Sequence, residues 1–108
     1  MEQLKGQLAK GLYVDNLYEL GHTCRMLAGE SNHPAVLFLL AQMFYDFAWD
    51  WSKRPVTVEE AEGTAASLSP RLDELLASVE RGDDLAYRQL NLLVRDLVSG
   101  LEWRPRLF

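Results

Sequence analysis

The sequence predicts an all-α fold, an antiparallel four-helix bundle. Apolar residues recur at spacings of three and four, the helical period. No stretch alternates apolar and polar residues with Val/Ile/Thr enrichment, and the chain contains no isoleucine. The turn-forming clusters GESNHP and SKRP separate the periodic segments.

The first segment spans about Glu2 to Ala28. Leu4, Leu8 and Leu12 begin its stripe, and Leu17, Leu20, Cys24 and Leu27 continue it. Gly11 marks a break, since glycine inside a helix costs about 1 kcal/mol against alanine, and Asp15 suits the cap that would restart the helix. Gly21, Cys24 and Ala28 form a ridge of small residues that lets another helix approach. In the turn that follows, Gly29 suits the position after a helix, Asn32 suits a cap, and Pro34 fits a first helical turn.

The second helix runs from there to about Lys53, and Pro55 closes it by pushing its predecessor out of the helical region. Thr57-Val-Glu-Glu60 has the form of a capping box, in which Thr57 bonds the Glu60 amide and the Glu60 side chain reaches back. Val58, Ala61, Ala65 and Leu68 share one face of the third helix, and Leu72, Leu75, Leu76 and Val79 carry it on. Ser69-Pro70 would kink or split this helix. Gly82 ends it, Asp83 or Asp84 caps the next, and Ala86, Leu90, Leu93, Val94 and Leu97 line up to about Ser99. The domain thus covers residues 1–101, and residues 102–108, EWRPRLF, form an aperiodic tail.

The segment HPAVLFLLAQMFYDFAWDW, His33 to Trp51, departs from the usual pattern. At 100° per residue, Leu37, Leu40, Phe44, Phe47 and Trp51 make one seam. Phe38, Ala41, Tyr45, Ala48 and Trp49 make a second, and Val36, Leu39 and Met43 a third. The polar line is Gln42, Asp46 and Asp50. A surface helix normally carries one apolar stripe somewhat over 100° wide, and each helix of a four-helix bundle keeps an outer face in water. Two charges interrupt the run, so it does not read as a membrane span, which needs about 20 apolar residues. The surplus predicts a homodimer, the commonest soluble oligomer, with Phe38, Leu39, Met43, Tyr45, Trp49 and the tail's Trp103 at the interface.

Composition narrows the function. Hydrophobic residues make up 48% and charged residues 25% of the 108 positions, an ordinary globular balance. The net charge is −5 and uneven: Thr57 to Leu101 holds nine acids against four bases. No basic stripe is present, which argues against nucleic-acid binding, while the acidic half suits a basic partner protein. The N-terminal MEQLKGQLAKG lacks the apolar core of a signal peptide, so a cytoplasmic location is expected. Cys24 is the sole cysteine, so neither an intramolecular disulfide nor a cysteine-based zinc site is expected.

Candidates for chemistry are few. Glu19-x-x-His22 and Glu30-x-x-His33 have the i, i+3 spacing of carboxylate di-metal bundles, which need that motif on two helices and further glutamates on two others. Glu30 and His33 fall in a turn, where His33 is better read as a capping residue, and Glu19 with His22 is the remaining metal candidate. Asp46 and Asp50, one turn apart, would be an acid/base couple if buried together; on the simpler reading they face water or pair with Lys53 and Arg54. Cys24 reads as a buried thiol. Aromatic walls such as Tyr45 and Trp49 suit an interhelical ligand pocket, though aromatics at helical spacing more often form core or interface. Leu17 to Phe44 resembles the helix-turn-helix unit of a tetratricopeptide repeat. No second copy follows about 34 residues on, so a solenoid is not inferred.

The expectation is therefore a non-catalytic protein–protein interaction module without cofactor: a small dimeric adaptor, regulator or inhibitor. The alternative is a ligand- or metal-binding bundle acting as a sensor or small enzyme.

Overall fold

The computed structural model describes residues 1–82 and 84–100, with side chains as far as residue 96. The tail, and Trp103 with it, lies outside the described residues. Among those described there are five helices and no strand: α1 Glu2–Ala9, α2 Val14–Ala28, α3 Pro34–Ser52, α4 Val58–Arg81 and α5 Leu85–Gly100.

The expected first segment is two helices, so the fold has one helix more than the sequence pattern suggests. Gly11 adopts φ 96°, a left-handed conformation that glycine enters without steric cost. Asp15 does not cap α2. The N-cap is Tyr13, which makes no side-chain cap bond, and Asp15 sits within the first turn, where a carboxylate still favours the helix dipole. The joint is held by Asn16 instead. Its buried Nδ2 donates to the Gln7 carbonyl at 2.8 Å, which also accepts from the Lys10 amide, and to the Gly11 carbonyl, so one side chain ties the end of α1 to the turn.

α2 and α3 pack as a helical hairpin. Leu17, Leu20 and Cys24 are fully buried on α2, as are Val36, Leu37 and Ala48 on α3. Gly21 makes the close approach possible: a Cβ there would stand 2.6 Å from Cε1 of Tyr45. At the turn, His33 occupies the N-cap of α3 but its ring does not cap. The ring is buried, edge-on to Tyr87 of α5 with centroids 5.3 Å apart, and the Ser31 hydroxyl accepts from the His33 amide.

The capping box at α4 is half formed. The Glu60 amide donates to Thr57 Oγ1 at 3.0 Å, while the Glu60 side chain turns away to Arg54, whose guanidinium donates to both carboxylate oxygens at 2.9 and 3.2 Å. That bonding holds the Glu60 carboxyl below its ordinary range. α4 then runs unbroken through Pro70 and is not split there. Pro70 and Ala66 both face solvent. The Ala66 carbonyl, which loses its i+4 amide donor to the proline, therefore lies on the wet side of the helix. Leu68 and Leu72 stay on the core side. Gly82, with φ 69°, closes the helix in the left-handed conformation.

α5 packs against α4 and more lightly against α3. Ala86, Leu90 and Leu93 join Leu72, Leu75 and Leu76 in the core. Arg71 Nε donates to Asp96 at 2.7 Å across the α4–α5 pair, and Lys5 meets Glu80 at 3.0 Å.

Candidate functional site

α3 sets the site because its apolar circumference exceeds what the chain covers. The first seam is enclosed: Leu37, Leu40, Phe44, Phe47 and Trp51 are all buried. The other two are covered more fully than their composition suggests. Ala41 and Ala48 of the second seam are buried, and so are Val36 and Met43 of the third. Met43 therefore belongs to the monomer core and is not available to a partner. What remains outside is Phe38, Leu39 and Trp49, at 56%, 46% and 46% exposure.

Tyr45 is half-buried, its ring resting over Gly21 and tilted against Tyr18 of α2 with centroids 6.3 Å apart. Tyr18 is itself 42% exposed. On α2, Tyr18, His22 and Met26 repeat at i, i+4 and i+8, and all three are exposed. The result is an apolar strip along the α2–α3 seam, with Tyr18 and Met26 on one helix and Phe38, Tyr45 and Trp49 on the other. Lys53 lies over the Trp49 ring, its Nζ 3.9 Å from the centroid, a cation–π contact that keeps the indole in place. Tyr18 and Met26 each sit one residue outside the hydrophobic stripe of α2, and Lys53 lies just past the end of α3, so the helical stripes mark none of the three.

The two aspartates part company. Asp50 is exposed and pairs with Arg54 Nε at 3.5 Å. Asp46, expected to face water, is buried and accepts from Gln42 Nε2 at 3.0 Å. Only Asp46 is buried, so the two are not the jointly buried carboxyl couple that general acid–base work would use.

Glu19 and His22 share the solvent face of α2, and Glu30 is exposed in the turn while His33 is buried. Among the described residues, no three His, Cys, Asp or Glu side chains come together around a metal-sized space. Cys24 is enclosed, and burial pushes its thiol up to about 12, which leaves almost no nucleophilic thiolate at neutral pH. No helix among the described residues is long and apolar enough to cross a membrane.

A cleft of about 410 Å³ lies away from this strip, between Lys10–Val14 and the first turns of α4, with Trp51 and Val56 also in its lining. Tyr45 and Trp49 do not line it.

Comparison with protein-family models, with curated proteins and with solved structures gives no match.

Proposed function

We propose that this chain is a non-catalytic protein–protein interaction module, a small homodimeric helical adaptor, regulator or inhibitor. The observation that carries the reading is the exposure of Phe38 and Trp49 on one line of a helix that is otherwise core, with Leu39 exposed beside it, since exposed apolar patches mark interaction sites.

The size of the strip suits a second copy. Large aromatics bury about 150–250 Å² each. Half-exposed Tyr18, Phe38 and Trp49 with Leu39 therefore leave roughly 300 Å² of apolar surface per chain. A symmetric contact counts each residue twice, which supplies the apolar centre of a standard interface of about 1,200–2,000 Å². The polar rim around it would include Gln42, Asp50 and Lys53. The acidic residues of α4, Glu59, Glu62, Asp73 and Glu74 among them, offer a separate surface to a basic partner protein.

Sedimentation analysis tests the dimer. At about 100 μM, where a contact of micromolar affinity is saturated, the wild type should run at twice the chain mass. The double substitution Phe38→Asp/Trp49→Asp should run at the chain mass with unchanged far-ultraviolet circular dichroism. A wild type that stays at the chain mass at that concentration refutes the reading. The second reading, a ligand-binding bundle, is favoured by one observation, the cleft beside Trp51.

A further inference from the structure

We propose that the cleft between the α1–α2 turn and the first turns of α4 binds a hydrophobic monocation, an aromatic or alkyl ammonium. The cleft and the exposed strip of α3 share no residue, so this site is independent of the dimer.

The cleft follows from the sequence of α4. Its first turns present Val58, Ala61 and Ala65 toward Leu12 and Trp51, and no α4 residue before Leu68 is buried. Alanines stand where a packed interior would place branched side chains, and protein interiors normally leave few voids larger than a water molecule. A space of about 410 Å³ falls within the range of about 300–1,000 Å³ typical of small-ligand sites.

The lining selects the chemistry. Its walls are hydrocarbon and two aromatic rings, Trp51 and Tyr13. Electron-rich ring faces attract an ammonium, and an apolar lining penalises each charge a ligand brings, so a single charge beside a carboxylate is the most it suits. Glu62 supplies a carboxylate and makes no ion pair among the described residues. Lys10 is the opposing charge in the lining, and it is exposed, so its long stem can carry the ammonium into water. Beyond the lining, α4 adds Glu59 and Glu60, of which Glu60 pairs with Arg54, on a chain of net charge −5. That field draws cations and repels anions. The positive end of α4 is already satisfied by Thr57 Oγ1 and by first-turn carboxylates.

Isothermal titration with three probes on one skeleton tests the assignment: 1-naphthylmethylammonium, 1-naphthalenemethanol and 1-naphthoate. The cation should bind saturably, at least about tenfold tighter than the carboxylate. Glu62→Gln should weaken the cation about three- to tenfold and leave the alcohol within about twofold. Ala61→Leu, which fills the cleft from a half-buried helical position, should abolish binding of the cation and the alcohol. Glu62→Gln is isosteric and solvent-exposed, so it tests the charge even if the leucine perturbs folding. The proposal is overturned if the cation shows no saturable heat up to about 1 mM. It is also overturned if naphthoate binds as tightly, or if neither variant changes the cation's affinity. A change of molecular mass on Ala61→Leu overturns it as well, because the cleft would then be a contact between copies.

Discussion

Gly21→Ala should destabilise the protein, although alanine is the better helix former. In an exposed helix interior the exchange gains about 1 kcal/mol. Here the new Cβ would lie 2.6, 2.8 and 2.9 Å from three carbons of the Tyr45 ring, where carbon–carbon contact is comfortable at about 3.5–4.0 Å. The ring must move by about 1 Å, and Tyr18 lies tilted against it with centroids 6.3 Å apart. Overpacking of this kind costs about 1–3 kcal/mol. The net effect is a loss of about 1 kcal/mol, within a range of about 0–2. The sharper test is the sign change on removing the obstacle. In a Tyr45→Ala background the clash is gone, so Gly21→Ala should stabilise by up to about 1 kcal/mol. Urea unfolding followed by circular dichroism measures all four proteins, at one fixed protein concentration because self-association shifts apparent stability. A stabilising Gly21→Ala in the wild type, or the same effect in both backgrounds, would refute the close approach of α3 to α2.

Cys24 makes stability fall at alkaline pH. The unfolded thiol loses its proton near 9.0, whereas burial delays this in the fold to about 12. Between those values the folded state holds one more proton, so unfolding becomes easier by up to about 1.4 kcal/mol per pH unit. Cys24→Ala should flatten that part of the stability–pH curve, and a curve that is unchanged counts against the burial. Thr57→Ala should cost about 1 kcal/mol through the lost bond to the Glu60 amide. Thr57→Ser, which keeps the acceptor oxygen, should restore most of it in the same denaturation assay.

Much of the fold is legible in the residues because helix punctuation is local chemistry. Gly82, Pro34, Pro55 and the Thr57–Glu60 spacing each act within a few residues, and each marks a boundary seen in the structure. Gly11 signals a break, but whether one bent helix or two results depends on Asn16 finding the carbonyls of Gln7 and Gly11, a contact no periodicity announces. Pro70 reads as a breaker because the sequence alone does not say that its ring faces water. The excess of apolar surface on α3 is visible at once. Which part of it stays bare is not: Met43 and Leu39 are four residues apart on one seam, yet Met43 is enclosed and Leu39 is not. The same limit hides Asp46, which a wheel places on the wet line and the tertiary structure buries. The cleft was the least legible feature, since it depends on the distance between the α1–α2 turn and α4, elements over forty residues apart in sequence.

Pro70 should divide α4 into two cooperative units of unequal strength. One backbone bond is missing across the Ala66–Pro70 step, every buried side chain of the helix lies at Leu68 or beyond, and the preceding turns rest on half-covered alanines. Backbone amides from Glu62 to Ser67 should therefore exchange their hydrogens through local fraying, while those from Leu72 to Val79 wait for global unfolding. The segment that opens first is also the wall beside Trp51, so a guest can enter without the core being disturbed.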